Sequence, residues 1–291
     1  MDNDTYFFME EDAGYFEPVQ ALSDLRNVLK DRFSDCVSMH FKSKVTNILQ
    51  SGGAVRGITV SDADNVQREV HCDTVVNCSG PWYNKVIKDL DLDIKFTLSP
   101  VRIQAIYKDA PELFTEEMLK NSYGTFGREY NLPCPDIADG MAGAYIRPQK
   151  QSKQLLVSTL KEEEERDEVD PDVPLPAGAD PEFRNKFLNT MYHRMEPVID
   201  AIGSSSQCQS LSGHYTVCVD DVHYLIGDTK LKGFIVCNGF SGHGFKCGPS
   251  VGGMIAQHLT KIKMDDDTSV PIEWYSPYRE PMKLAELNVM A

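Results

Sequence analysis

The sequence predicts an α/β protein in which a strand–turn–helix layer is interrupted by an antiparallel β-layer. Two stretches predict the first layer: an apolar strand that ends in Asn77-Cys78-Ser79-Gly80 before a short helix, and the apolar run 233–238, which opens into the glycine-rich segment 239–246. Hairpin-like strands between about 99 and 212 predict the second layer. Strands that end in small-residue turns, with a block of antiparallel strands between them, therefore define the expected fold class.

Length, charge and cysteine usage exclude several classes of protein. With 291 residues the chain can form one large domain or two unequal ones. Acidic residues outnumber basic residues by 44 to 29, so the net charge of -15 disfavours nucleic acid as a partner. No apolar run is long enough to span a bilayer, and the first twenty residues lack the pattern of a signal peptide. The eight cysteines show no CxxC pair and no zinc spacing, which favours reduced, buried thiols over a disulfide, metal or redox role.

The first ninety residues predict a strand, a helix, a β-meander and a second short helix. Pro18 fits the first turn of a helix, and apolar side chains follow it at three- and four-residue spacing. Gly52-Gly53 marks a hairpin. The predicted elements are strand 6–9, helix 18–33, strands 37–49, 54–60 and 69–76, and a helix to about 90.

The rest of the chain predicts antiparallel strands, an acidic excursion and a return to a strand–helix unit. The acidic, proline-rich stretch 162–181 is expected to be solvated and not a site. The predicted elements are strands 101–107, 144–147 and 155–158, helices 112–119 and 183–195, strands 211–219, 223–226 and 234–237, and a helix from about 249 to 259.

Two segments carry candidate chemistry, and the residues alone leave each open. The turn 77–80 would let a ligand approach the backbone at the end of a strand, or it is simply a tight connection. In segment 239–246 three glycines free the backbone to lie against a planar or anionic group, while His243 and Lys246 add donors and charge. The alternative is a glycine-rich connection with an exposed lysine. The spacing is not GxGxxG.

Five segments, in order, resemble the D-amino-acid oxidase-like flavoproteins, which include sarcosine oxidase, glycine oxidase, dimethylglycine dehydrogenase and the FAD-dependent oxidoreductase domain-containing proteins. They are Glu11–Pro18, Val75–Trp82, Pro100–Gln104, Tyr145–Pro148, and Gly239–Lys246 followed by Pro249. The resemblance implies an incomplete FAD/NAD(P)-binding Rossmann-like domain with an inserted antiparallel β-sheet substrate domain. The implied domains are 1–98 (first part of the FAD-binding domain), 99–212 (substrate domain) and 213–291 (carboxy-terminal part with the flavin-contacting loop).

The resemblance also implies roles for individual residues. Lys246 would face the carboxylate of an amino-acid substrate, a task that suits a point charge. Tyr145 and Tyr215 would bind substrate, although either is equally well a core tyrosine. FAD would be non-covalent, because relatives that attach it use a cysteine before the Tyr215-Thr216 pair, where this chain has His214. The implied FAD contacts are Val45, through its backbone, and Cys78, Ser79, Gly80, Trp82, Gly239, Phe240, Ser241, Gly242, His243, Gly244, Phe245 and Lys246.

The implied reaction moves a hydride from the amine-bearing carbon of a secondary amine or amino acid to flavin N5, giving an imine. No metal is required, and the electron acceptor would be O2 or a redox protein. In an oxidase the resemblance would imply an oxygen-activating lysine in the strand over 155–158. No lysine lies inside it, so oxidase and dehydrogenase both stay open. We expect an intracellular protein, cytoplasmic or mitochondrial. No GxGxxG unit accompanies these segments, so we expect a fragment with little activity alone. The alternative is a non-catalytic assembly or scaffolding factor with a flavoprotein fold, for which the acidic stretch leaves room.

Overall fold

The structure is a computed structural model in which the chain divides into two units, Met1–Lys42 and Ser43–Ala291. It describes residues 17–109, 111, 130–132, 144–149, 152–159, 168–176, 178, 181, 208–263 and 270–282. Several strand residues, Tyr145 among them, are described by their backbone alone. Predicted strand 6–9, predicted helices 112–119 and 183–195, and the acidic residues 162–167 lie outside the described residues.

The first unit contains helix α1, Pro18–Arg32, as the sequence predicts. Pro18 occupies the first turn, where its missing N–H has no helical partner to lose. The Phe33 N–H donates to the Leu29 carbonyl at 3.0 Å and closes the other end. No residue of α1 is buried, and Val19 is 77% exposed.

The second unit begins with a three-stranded antiparallel meander of β1 (Lys44–Ser51), β2 (Ala54–Ser61) and β3 (Gln67–His71). Gly52 and Gly53 have φ of 62° and 74°, the left-handed conformations that a two-residue hairpin turn requires. The predicted hairpin and meander are therefore confirmed. The predicted strand start at 37 is wrong, because β1 begins at Lys44 and Lys42 has φ of 53°, outside the extended region.

A short strand, β4 (Val75–Asn77), leaves this meander for another sheet. The sequence predicts one strand over 69–76, and that prediction is wrong because β3 and β4 pair with different partners. The Val75 N–H donates to the Gly233 carbonyl at 2.8 Å, which draws β4 away from β3. A 3-10 helix, Gly80–Trp82, and helix α2, Tyr83–Ile87, follow the small-residue turn, as predicted.

The middle of the chain forms the predicted antiparallel layer. Its strand order is β6-β7-β8-β5-β9, and β5 pairs with β9 along almost its whole length. The five strands are β5 (Leu98–Asp109), β6 (Tyr130–Leu132), β7 (Ala144–Gln149), β8 (Gln154–Thr159) and β9 (Cys208–Cys218).

The last part of the chain returns to the sheet of β4. Strands β10 (Leu225–Asp228) and β11 (Phe234–Asn238) give the order β10-β11-β4, with β11 antiparallel to β10 and parallel to β4. Helix α3 spans Gly244–Thr260, so the predicted start near 249 is wrong. Pro249 is tolerated inside α3 because it lies only six residues into the helix and removes a single N–H donor.

Strand β11 lies at the centre of the core, and all five of its residues are buried. On one side, Phe234 and Val236 pack in a cluster with Val55 of the meander and Tyr83 of α2. Cys237 belongs to a second cluster with Val251 of α3. Because β11 is held on both faces, the position where it ends is fixed, and so is the end of its parallel neighbour β4.

A buried ion pair anchors the segment 270–282. Arg279 Nη2 donates to both carboxylate oxygens of Asp221, at 2.9 and 2.7 Å, and the two side chains are 8% and 0% exposed. The Met282 N–H donates to the same carboxylate at 2.9 Å. The Arg279 guanidinium also lies over the Phe96 ring, 4.2 Å from its centroid. These contacts satisfy the buried carboxylate and tie the segment to the core.

Candidate functional site

The two parallel strands β4 and β11 end side by side. Their register pairs Val236 with Asn77, so both chains leave the sheet at the same edge. In open α/β sheets, ligands bind beyond the carboxyl ends of the strands. The turn 77–80 and the segment 239–246, predicted separately from the sequence, follow these two strands directly and meet at this edge.

Each of the two strands ends in a buried asparagine whose side-chain oxygen accepts a backbone N–H of the following turn; we call Asn77 and Asn238 the strand-end amides. The Oδ1 atom of Asn77 accepts the Ser79 N–H at 3.0 Å, and that of Asn238 accepts the Gly239 N–H at 2.7 Å. The asparagines are 4% and 1% exposed, and neither Nδ2 atom has a hydrogen-bond partner within the described part of the chain. A buried donor without a partner costs about 1–3 kcal/mol. Two such donors at one sheet edge indicate a place where a polar ligand would supply the acceptors.

A cavity of about 810 Å³ opens at the same edge. Its wall contains Val45 of β1 and three residues of the turn region, Cys78, Ser79 and Trp82. The structure thus brings together four of the five residues that the sequence predicts at this end of the site. The fifth, Gly80, has φ of 55° and lies between Ser79 and Trp82, where its missing side chain leaves room beside Thr216 of β9.

An aspartate that the sequence analysis missed lies at the cavity. Asp172 accepts the Trp82 Nε1–H at 2.8 Å and an N–H of Lys85 at 2.6 Å, and Lys44 Nζ is 3.6 Å away. Lys85 also pairs with Asp170. The hydrogen bonds from Lys85 and then Trp82 lower the pKa of Asp172 to about 2. Asp170 and Asp172 are exposed, as the prediction of a solvated stretch requires, but Asp172 also forms part of the cavity wall. No local signal reveals it, because the partners are distant in sequence.

The segment 239–246 is tied to β9 through Ser241. Ser241 has φ of 46° and is fully buried; its N–H donates to the Thr216 carbonyl at 2.9 Å. Its Oγ accepts the Cys218 N–H at 3.0 Å. Gly242 follows with φ of 86°, and a Cβ built there would lie 2.8 Å from Cε2 of Tyr215. The absence of a side chain at 242 therefore lets the Tyr215 ring lie against this segment.

The other residues of the segment differ in what they contact. Phe240 stacks on Tyr224 with ring centroids 4.8 Å apart, so it supports the segment from the protein side. His243 Nδ1 lies 3.1 Å from the Ser241 carbonyl and donates to it; burial and then the charge of Lys246 lower the pKa of His243. Gly244, Phe245 and Lys246 lie in the first turn of α3, not in a loop, and Phe245 and Lys246 are exposed.

Polar atoms of β9 face the turn region from the other side. The Trp82 and His214 rings are 6.2 Å apart between centroids. His214 Nε2 and Thr216 Oγ1 are buried without a hydrogen-bond partner among the described residues. Tyr145 is in β7, in register with Ser158 of β8, and its side chain lies outside the described part of the structure. The structure therefore places Tyr215 beside Gly242 of the segment 239–246, and the role of Tyr145 stays a prediction.

Neither a candidate metal site nor a membrane-spanning helix is found among the described residues. No group of three or more histidine, cysteine, aspartate or glutamate side chains there could hold a metal ion. No helix in that part of the chain is long and apolar enough to cross a membrane.

Comparison with solved structures found chains of similar fold. L-proline dehydrogenase from P. horikoshii is 20% identical with a TM-score of 0.55, and the match covers 81% of this chain and 53% of that chain. Glycine oxidase from Geobacillus kaustophilus is 16% identical with a TM-score of 0.55, covering 82% and 52%. Iminodiacetate oxidase from Chelativorans sp. is 16% identical with a TM-score of 0.53, covering 79% and 52%. The chain thus spans about half the length of the structures it matches, and at these identities the likeness shows the fold.

Sequence comparison supplies the family. No curated protein is similar enough to this chain to count as a match. The sequence profile described as DAO, FAD dependent oxidoreductase, matches residues 6–258, which is most of the chain. The chain therefore belongs to the DAO family of FAD-dependent oxidoreductases.

Proposed function

We propose that this chain is part of an enzyme that oxidises a secondary amine or an amino acid with non-covalently bound FAD. The observation that carries the proposal is the pair of unsatisfied strand-end amides at the shared end of β4 and β11. When bound, FAD supplies an acceptor for the hydride that leaves the amine-bearing carbon. The protein's own residues bind the cofactor and the substrate, orient them and supply charges that balance those of the substrate.

The residues at the sheet edge fit FAD. The cavity of about 810 Å³ is in the range of small-molecule and cofactor sites. The Nδ2 atoms of Asn77 and Asn238 and the hydroxyl of Ser79 are buried polar groups that lack partners in the described structure, and FAD carries acceptors throughout its length. We propose that these three groups, with the backbone of Val45 and the turn 78–82, hold the cofactor.

On the substrate side we propose that Lys246 and His243 act on the charged groups of the substrate and that Tyr215 and Tyr145 contact it. Lys246 is exposed in the first turn of α3, where its ammonium group can bind a substrate carboxylate. Neutral His243, with its Nδ1–H held by the Ser241 carbonyl, leaves Nε2 free of a proton and able to accept one from a substrate ammonium. Proline, glycine and iminodiacetate, which give the similar structures their names, all carry an amine next to a carboxylate, which supports this substrate class.

We further propose that the residues that bind the FAD pyrophosphate belong to a part of the protein outside these 291 residues. The match to about half of each similar structure supports this. Titration of flavin fluorescence against this chain and against a longer product of the same gene tests it. Tighter binding by the longer product is expected, and equal binding would contradict the proposal.

The cofactor test uses two matched asparagine substitutions. Asn77→Asp, in the cavity wall, keeps an oxygen to accept the Ser79 N–H but replaces the unsatisfied donor with an acceptor, so we expect FAD affinity to fall about tenfold or more. Asn47→Asp, at an exposed position of β1, makes the same chemical change away from the cavity and should leave affinity unchanged. Circular dichroism shows whether both variants fold. Equal FAD affinity for the two variants would contradict the assigned site.

The substrate test follows the flavin colour without oxygen. We expect free or N-methylated amino acids to bleach the yellow protein, and Lys246→Met to raise the concentration of amino acid needed. A protein that binds no flavin in its longest form would refute the enzymatic proposal and favour a scaffolding role.

A further inference from the structure

Two cysteines meet at the edge where β4 and β11 end. The last registered pair of these parallel strands is Asn77 with Val236, so Cys78 and Cys237 are the next neighbours. Adjacent strands lie about 4.8 Å apart, and a disulfide requires about 4.4–6.8 Å between Cα atoms. The two thiols affect each other's ionisation, so their side chains lie close together. The register of the two strands therefore places the cysteines side by side, within the range of backbone separations that a disulfide bridges.

The two thiols have unequal surroundings. Cys78 is exposed and forms part of the cavity wall, whereas Cys237 is 6% exposed between the sheet and α3. The hydrogen bond from Cys237 lowers the pKa of Cys78 to about 7, outweighing the opposing effect of burial. The same hydrogen bond, with burial, raises the pKa of Cys237. Cys78 is thus the exposed and more readily ionised thiol, and Cys237 the protected one.

We propose that Cys78 and Cys237 form a reversible thiol–disulfide site that is oxidised by a peroxide. The Cys78 thiolate attacks one peroxide oxygen: an S–O bond forms, the O–O bond breaks, and the hydroxide that leaves takes up a proton to become water. The Cys237 sulfur then gives up its proton and attacks Cys78 Sγ. The S–S bond forms, the S–O bond breaks, and a second water leaves. Two thiols lose two electrons and one peroxide becomes two waters.

The bond would change the cavity wall. Oxidation converts an ionised sulfur at position 78 into an uncharged one and links the ends of the two strands that carry Asn77 and Asn238. This effect needs no cofactor and no substrate, so it goes beyond the proposed oxidoreductase activity. Among the other described cysteines, Cys218 is hydrogen-bonded to the Asp221 carboxylate and Cys247 interacts with Tyr224, so neither offers a second thiol to its neighbour.

The test is a chemical map of the oxidised protein. The reduced chain is treated with hydrogen peroxide, blocked with N-ethylmaleimide and digested without reductant. We expect a peptide that joins Cys78 to Cys237, an intact mass lower by about 2 Da before blocking, and reversal by dithiothreitol. Cys36→Ser, which removes an exposed cysteine of the first unit, is the matched control and should still form the link.

Two variants separate the roles of the pair. Cys237→Ser should stop at a Cys78 sulfenic acid that dimedone traps, whereas Cys78→Ser should form neither the link nor the trapped acid at this site. Circular dichroism verifies folding, and Cys237→Ala replaces the serine variant if that one is unfolded. The proposal is overturned if wild-type Cys78 oxidises without joining Cys237, joins another cysteine instead, or is trapped by dimedone equally with and without Cys237. None of these readings depends on FAD, so a failure here is distinct from a failure of the proposed function.

Discussion

Gly242 is the position where a single methyl group should test the geometry of the site most directly. Gly242→Ala adds a Cβ to a residue with φ of 86°, which costs about 1–2 kcal/mol for any L side chain. The same Cβ would lie 2.8 Å from Cε2 of Tyr215, closer than van der Waals contact allows. The ring is the far part of a rotatable side chain, so this overpacking should add only about 1 kcal/mol. We expect the free energy of unfolding to fall by about 2–3 kcal/mol.

A glycine in the neighbouring helix provides the matched control. Gly252 lies in α3, is exposed, and has no atom within 4 Å of the position that a Cβ would take. Gly252→Ala should therefore stabilise the protein by about 0.5–1 kcal/mol, because alanine is the better helix former. The two variants receive the same methyl group, and the structure predicts opposite signs for the change.

A double variant separates backbone strain from crowding. In Gly242→Ala with Tyr215→Ala, the clash is removed and the strain at position 242 remains. The combined loss should therefore be about 1 kcal/mol smaller than the sum of the single losses. Urea unfolding, followed by tryptophan fluorescence and far-ultraviolet circular dichroism, measures the free energy of unfolding of the wild type, the three single variants and the double variant. Equal stability of Gly242→Ala and Gly252→Ala would refute the left-handed conformation at 242, and strict additivity with Tyr215→Ala would refute the contact.

Further predictions concern the buried ion pair and the cysteine pair. Asp221→Asn should lower the free energy of unfolding by about 3–5 kcal/mol, because it leaves the Arg279 guanidinium buried without its charge partner. Asp93→Asn, which breaks an exposed pair with Lys230, should have little measurable effect in the same urea titration. Because the pKa of Cys78 is lowered to about 7, its alkylation by iodoacetamide should fall tenfold per pH unit well below pH 7 and level off above about pH 8. Cys237→Ala, which removes the S–H donor, should move that midpoint upward, and an unchanged midpoint would contradict the thiol contact. Cys78 shares the cavity wall with four charged groups, which are Lys44, Lys85, Lys88 and Asp172.

Features governed by near neighbours in sequence could be predicted. The hairpin at Gly52-Gly53 is one case, because both residues must adopt positive φ and glycine does so without strain. Helix α1 behind Pro18 is another. The turn after Asn77 and the short helix beyond it also follow from small residues and proline at fixed positions.

Features governed by distant partners could not be predicted. Residues 69–76 contain no glycine or proline to mark a break, and what divides them is the hydrogen bond from Val75 to Gly233, far along the chain. The same reason hides Asp172, whose partners Lys85 and Trp82 precede it by more than eighty residues. The predicted start of α3 is wrong for another reason. Proline is common in the first turn of a helix, but Pro249 lies in the second turn of α3.

The strand-end amides explain why the two halves of the candidate site look unrelated in sequence. Each amide uses its oxygen to hold the next turn and leaves its nitrogen toward the sheet edge, so each turn alone is an ordinary connection. The two turns come together only because the parallel pairing of β4 and β11 brings both asparagines, with Cys78 and Cys237 next to them in sequence, to the same end of the sheet. The site is therefore a property of the pairing. A change that shifts the register of β11 against β4 should disturb cofactor binding and the thiol contact together, although it touches none of these side chains.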